Sequence, residues 1–212
     1  FDGQYLRATR EYEVVLDTGE YEINGINLFS RMADCALQSG NYSDAIQLFD
    51  EISEDEMISD DFFKKAIAYE KNDLTQEAIK IMTTLLSKDP DFIQGYFYLQ
   101  SLYENEKNYP DAIETGKEGL RLNQFYKELM VSTGSLEIEH GDANEGVELL
   151  KKALEVDNAY HEPLLILSDL FRQEEDYEAI ISLLSYVDEE DLDPVFMWHL
   201  AHAYGEEERD TE

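Results

Sequence analysis

The feature that most constrains this chain is a series of small residues recurring at one spacing. Ala45, Ala78, Ala112 and Gly146 lie 33, 34 and 34 residues apart. Segments around this series read alike: Gly40-Asn41-Tyr42-Ser43-Asp44-Ala45-Ile46, Lys107-Asn108-Tyr109-Pro110-Asp111-Ala112-Ile113, and the shorter Glu175-Asp176-Tyr177-Glu178-Ala179-Ile180. Each reads as a tight turn entering a helix. A period of this size means a supersecondary unit that cannot bury its apolar stripe alone and must stack on a copy of itself. The 212 residues are therefore to be counted in repeats rather than in domains.

Side-chain size is periodic as well. An aromatic opening position holds Phe29, Phe62 and Tyr96, with Met130, Leu164 and Met197 in equivalent places. Seven residues later comes a large ring at Tyr69, Tyr103, Phe171 and Tyr204, with departures at Ala36 and Glu137. Four residues beyond the small position lie Phe49, Met82, Gly116 and Leu150. This pattern resembles the tetratricopeptide repeat, a helix-turn-helix of about 34 residues. The resemblance implies an all-α fold, a right-handed superhelical solenoid of antiparallel helical hairpins. It divides the chain into repeats 26–58, 59–92, 93–126, 127–160 and 161–193. A second helix of a truncated repeat with its connector occupies 1–25, and a first helix occupies 194–212, as in a fragment of a longer bacterial-type array. On this register Tyr103→Ala is expected to cost more stability than Glu137→Ala.

Proline offers an independent check, because inside a helix it removes a hydrogen bond and costs about 3 kcal/mol. Pro90 and Pro194 fall at repeat boundaries, and Pro110 and Pro163 in first turns, where the missing N–H costs nothing. No stretch alternates apolar and polar residues long enough to predict a strand. The connector Asp17-Thr18-Gly19-Glu20-Tyr21-Glu22-Ile23-Asn24-Gly25 is longer than the register needs.

Charge limits the partners. Against 49 Asp and Glu stand 16 Lys and Arg, a net charge of −33. Such a surface repels nucleic acid and anionic membranes. No apolar run approaches the roughly 20 residues of a bilayer span, and no targeting signal opens the sequence. Cys35 is the single cysteine, which fits a reducing compartment, so a cytoplasmic location is expected.

Motifs for catalysis are sparse, and the chain is expected to be no enzyme and to need no cofactor or metal. Cys35 lies within a helix without a histidine in its own repeat or the next and reads as a small buried hydrophobe. His199-Leu200-Ala201-His202, followed by Glu206, has metal-ligand spacing, yet surface histidines are the simpler expectation. The acid runs, among them Asp188-Glu189-Glu190-Asp191 and Glu206-Glu207-Glu208, lack the glycine of a calcium loop. Neither phosphate-binding glycine motif is present.

What the resemblance implies about binding is a concave face lined by the first helix of each hairpin, holding an extended or helical segment of another protein. The corresponding positions are Asn27, Ser30, Asp34 and Leu37; Asp60, Phe63, Ile67 and Glu70; Gln94, Phe97, Ser101 and Glu104; Glu128, Val131, Ser135 and Ile138; and Glu162, Leu165, Asp169 and Arg172. Lys64 and Tyr98 flank the two phenylalanines. Seven of these twenty are acidic, seven apolar and one basic. The expected partner is thus a basic amphipathic peptide segment bound by a non-enzymatic scaffold, with Phe63 and Phe97 as anchors. The alternative is a peptide-effector-binding array that modulates a partner's activity. A family subclass that clamps a terminal carboxylate with basic residues is not matched, since only Arg31, Lys64 and Arg172 lie near the groove. Met197, Leu200, Ala201 and Tyr204 lack a covering helix in this stretch, so weak end-to-end self-association of the fragment is expected.

Overall fold

A computed structural model of the chain describes residues 2–185, 187–188 and 192–210, with only the backbone for 2–4, 6 and 208–210. Residues 189–191 of the acid run Asp188–Asp191, and the side chain of Glu208, lie outside the described residues. The helices are α1 Asp2–Leu16, α2 Leu28–Gln38, α3 Tyr42–Asp50, α4 Ser59–Lys71, α5 Thr75–Lys88, α6 Ile93–Asn105, α7 Tyr109–Leu122, α8 Lys127–His140, α9 Ala143–Val156, α10 His161–Gln173, α11 Tyr177–Leu184 and α12 Pro194–Asp210. They form two compact units, Phe1–Lys107 and Asn108–Glu212. Each is built of stacked helical hairpins, as in a helical-repeat solenoid.

Three of the turns within hairpins have a common cause. Gly40, Asp73 and Glu175 take left-handed φ values of 77°, 61° and 59° after the first helix. The next amide then reaches back: Asn41 N–H donates to Ala36 O, Leu74 to Tyr69 O and Asp176 to Phe171 O, all at 2.9 Å. This is the Schellman closure, which satisfies the last carbonyls of a helix and turns the chain sharply. Only Gly40 adopts that backbone without steric cost; Asp73 and Glu175 bear about 1 kcal/mol each.

Past the turn, the small residue lets the two helices meet. Ala45, Ala78 and Ala112 are fully buried. In unit 2 the approach of α8 and α9 is closer still, since a Cβ on Gly146 would stand 2.5 Å from the Gly134 carbonyl oxygen and 2.9 Å from the Ile138 nitrogen. Those are backbone atoms that cannot swing aside. Around these crossings lie the cores: Phe49, Phe62, Met82, Leu85, Leu99 and Leu102 in unit 1, and Met130, Val131, Leu150, Ala153 and Leu167, with a second cluster about Leu164, Ile180, Leu184 and Phe196, in unit 2.

The long connector corrects the expectation that nothing forms a strand. Glu22–Ile23 (β1) pairs antiparallel with Ile26–Asn27 (β2), Glu22 opposite Asn27 and Ile23 opposite Ile26. Asn24 and Gly25, with φ of 54° and 76°, make the two-residue loop, where Asn-Gly is the favoured pair because both positions need positive φ. Two-residue strands are too short to show alternation, so only the turn carried the signal. Leu28 N–H donates to Tyr21 O at 2.9 Å, and the Tyr21 and Phe29 rings stack with centroids 6.0 Å apart, which seats the ribbon on the start of α2.

Glu137 takes the place of an inter-repeat ring and is not a passive stand-in. Its carboxylate is 2% exposed, pairs with the Lys117 ammonium, and accepts the Asp142 N–H at 2.7 Å. The hydrogen bond to Glu137, then that to Glu145, raises the Lys117 ammonium above its ordinary pKa. The basis for ranking Tyr103→Ala above Glu137→Ala therefore falls away. Glu137→Ala should cost about 1–3 kcal/mol, because it removes the acceptor of the Asp142 N–H and one of the two carboxylates paired with Lys117. Glu137→Gln, which keeps the amide's acceptor, should cost less; equal denaturation midpoints for Ala and Gln would contradict this.

Two glycine exchanges should act with opposite sign. Gly146→Ala should destabilise by about 1–3 kcal/mol through backbone overlap with α8. Glu175→Gly should stabilise by up to about 1 kcal/mol by relieving a left-handed residue. Urea unfolding monitored by circular dichroism measures both.

Candidate functional site

In unit 1 the expected inner positions lie on α2, α4 and α6. Lys64 on α4 bridges two carboxylates, Asp60 one turn back at 2.9 Å and Asp34 of α2 at 3.3 Å. Asp60 and Glu104 are exposed, while Ile67, Glu70 and Ser101 are half-buried. Ser101 Oγ donates to its own helix at Tyr98 O, 2.7 Å. Phe63 does not stand free: its ring meets Phe92 at 5.5 Å and the edge of Tyr98 at 5.1 Å, and it packs on the unit 1 core. Tyr98 Oη donates to Glu70 Oε2 at 3.4 Å. Burial first, then the Glu70 charge, raises the Tyr98 phenol well above its ordinary pKa. Phe97, one residue along α6 from this cluster, is 36% exposed.

The corresponding helices of unit 2 are α8, α10 and α12. Glu128 and Glu162 are exposed and Leu165 is half-buried. Val131 is 1% exposed and belongs to the core with Met130, Leu150 and Leu167. It cannot serve as a groove contact, because α8 is packed on several sides and buries seven residues around its circumference. Asp169 accepts from Arg172 at 3.2 Å and lies 3.8 Å from His199 Nε2.

The histidine pair also departs from expectation. His199 is 4% exposed rather than on the surface, and His202 is half-buried with its ring 5.8 Å from Tyr177 and 5.5 Å from Trp198. Among the described residues no three His, Cys, Asp or Glu side chains converge as metal ligands. Cys35 is half-buried, and burial followed by the Asp34 charge pushes its thiol pKa up, which disfavours the nucleophilic thiolate. No helix among the described residues is long and apolar enough to cross a membrane.

One exposed ring lay beyond the positions read from the sequence. Trp198 is 55% exposed on the first helix of the final partial repeat. Extending the register from Leu165 by 33 residues reaches it.

Stacked hairpins with Schellman turns and small crossing residues define a helical-repeat protein, a class typically without catalytic function and used as a scaffold for protein–protein interaction. Residues 62–91 match the tetratricopeptide repeat family. Over 211 residues the chain is 32% identical to TPR repeat-containing protein YpiA of Bacillus subtilis (strain 168), covering 98% of this chain and 49% of that protein. It thus spans about half the length of the curated relative it matches. Among solved structures, the C-terminal part of a TPR repeat-containing protein from Cytophaga hutchinsonii superposes with a TM-score of 0.72 at 16% identity, over 86% of this chain and 75% of that one. MamA gives 0.64 at 14% identity, over 85% and 96%. YrrB, described as a TPR protein with an unusual peptide-binding site, gives 0.62 at 14%, over 77% and 84%. Residues 62–91 thus carry a tetratricopeptide repeat, and the fold of the chain is that of tetratricopeptide repeat proteins.

The ring contacts of Phe63 predict that Phe63→Ala acts on stability before it acts on binding. A loss of about 2–3 kcal/mol is expected from the lost packing and the space left behind. Phe97→Ala, at a ring 36% exposed, should cost less than Phe63→Ala. Thermal unfolding of the two variants side by side checks the difference.

Proposed function

We propose that this chain is a non-enzymatic interaction scaffold whose first-helix faces hold a basic amphipathic segment of a protein partner. The observation that carries the proposal is the pairing, on those faces, of exposed carboxylates with exposed rings: Asp60 and Glu104 with Phe97 in unit 1, Glu128 and Glu162 with Trp198 in unit 2. Exposed carboxylates favour a cationic ligand and repel an acidic one, while large uncovered aromatics are enriched where partners bind. The peptide-binding site stated for YrrB supports peptide recognition on a fold of this kind, without indicating the sequence bound here.

Charge and ring have separate kinetic tasks. Exposed ion pairs contribute only about 0–1 kcal/mol each and are screened over about 8 Å at physiological salt, so they act on encounter. Desolvated rings act on residence. The test uses a synthetic helical peptide with lysine on one face and leucine on the other. Asp60→Lys with Glu104→Lys should lower its association rate several-fold and flatten the salt dependence; Phe97→Ala should raise its dissociation rate. Unchanged rates in both variants, or binding that survives both together, would remove the groove reading.

A further inference from the structure

The ribbon at the long connector does more than take up extra residues. With α2 and α4 it walls a cavity of about 360 Å³. That is at the small end of ligand pockets, about 300–1,000 Å³, and suits one or two side chains rather than a helix. Five carboxylates line it: Glu22 from the ribbon, Asp34 from α2, Glu56 from the segment before α4, and Asp60 and Asp61 from α4. Against them stand Arg31 and Lys64, so the lining carries three more negative than positive charges.

The carboxylates are not equivalent. Asp61 is buried and fixed, with Ser30 Oγ donating to one oxygen and Ile58 N–H to the other at 3.3 Å. Its charge is held at the wall without freedom to turn toward solvent. Asp34 Oδ1 is paired with the Lys64 ammonium at 3.3 Å, and the Asp34 side chain is half-buried at the cavity wall. Lys64 itself is shared with Asp60. Two carboxylates thus divide one cation inside the cavity. At the rim stand apolar side chains facing water: Ile58 is 62% exposed, and Tyr21 and Ile26 from the connector and ribbon are also exposed.

We propose that this cavity receives an arginine or lysine side chain of a protein segment, with an apolar neighbour of that residue resting on the rim. The head group would share Asp34 and Asp60 with Lys64, under the field of Asp61, where the cavity walls screen charge less than open water does. A guanidinium offers donors enough to engage both carboxylates at once. The rim favours a side chain carried on an amphipathic segment over a free polyamine, which has no apolar group to place there. This proposal rests on the groove reading and locates its basic anchor.

The probes are a synthetic peptide with arginine on one helical face and leucine on the other, the same peptide with citrulline for arginine, and spermidine. Calorimetry should give at least tenfold tighter binding of the arginine peptide than of the citrulline peptide. Asp34→Asn with Asp60→Asn should reduce that ratio below twofold, whereas Glu118→Gln on α7 with Glu178→Gln on α11, exposed carboxylates on second helices, should leave it. Independently of any variant, the arginine peptide should shift the amide resonances of Gly25, Ile26 and Ile58 in the native chain. Discrimination that persists in the Asp34/Asp60 variant, or shifts that avoid those three amides, overturns the cavity and leaves the groove. Equal binding of the citrulline peptide, or spermidine binding as tightly as the arginine peptide, also overturns it. Absence of any peptide binding overturns both readings.

Discussion

The hairpins from α2 to α9 depend on two helices crossing so closely that only a hydrogen or a methyl group fits between them. Ala45, Ala78 and Ala112 are fully buried at that point, and Gly146 meets Gly134 with no room for a Cβ. Once the backbones are this near, neighbouring side chains must interleave, and the ring or aliphatic residue four positions on, such as Phe49, Met82 or Leu150, fills the space beside the crossing. The Schellman turns serve the same end, returning the chain at a fixed angle with its carbonyls satisfied. Dispersion and hydrophobic burial then accumulate unit by unit, which is why a sequence of such low mutual identity between repeats still stacks.

The crossing also decides what remains for binding. First helices that bury one face against their partner helix and another against the neighbouring repeat keep a narrow strip for contact with other molecules. Where packing is tightest the strip disappears: α8 buries residues all around, and Val131 goes into the core. Where packing is looser, rings survive at the surface, as at Phe97 and Trp198. Phe63 lies between these extremes, occupied on two sides by Phe92 and Tyr98. The exposed apolar content of these first-helix positions is therefore smaller than a count of positions suggests, while Asp60, Glu104, Glu128 and Glu162 stay exposed.

Departures from the repeat are where the chain acquires individual features. Glu137 replaces a ring with an ion pair that also closes the turn into α9, exchanging dispersion for directed hydrogen bonds. The long connector replaces a plain turn with a ribbon, and that ribbon walls a carboxylate-lined cavity at α2 and α4. Neither feature follows from the family pattern, because each depends on side chains the pattern does not specify.

The sequence by itself determined the period, the helical class, the turns and the small crossing residues. All of these are local properties or equal spacings, and the residues that carry them, Gly40, Ala45, Ala78, Ala112 and Gly146, need no knowledge of distant neighbours to be recognised. The tertiary structure alone decided that His199 is buried against Asp169, that Phe63 and Val131 are consumed by packing while Trp198 is not, and that Asp34, Asp60 and Asp61 share one cavity with the ribbon. The physical reason is that exposure and proximity are set by the summed packing of several elements, and a period of one-dimensional spacings does not contain the angle and depth at which those elements meet.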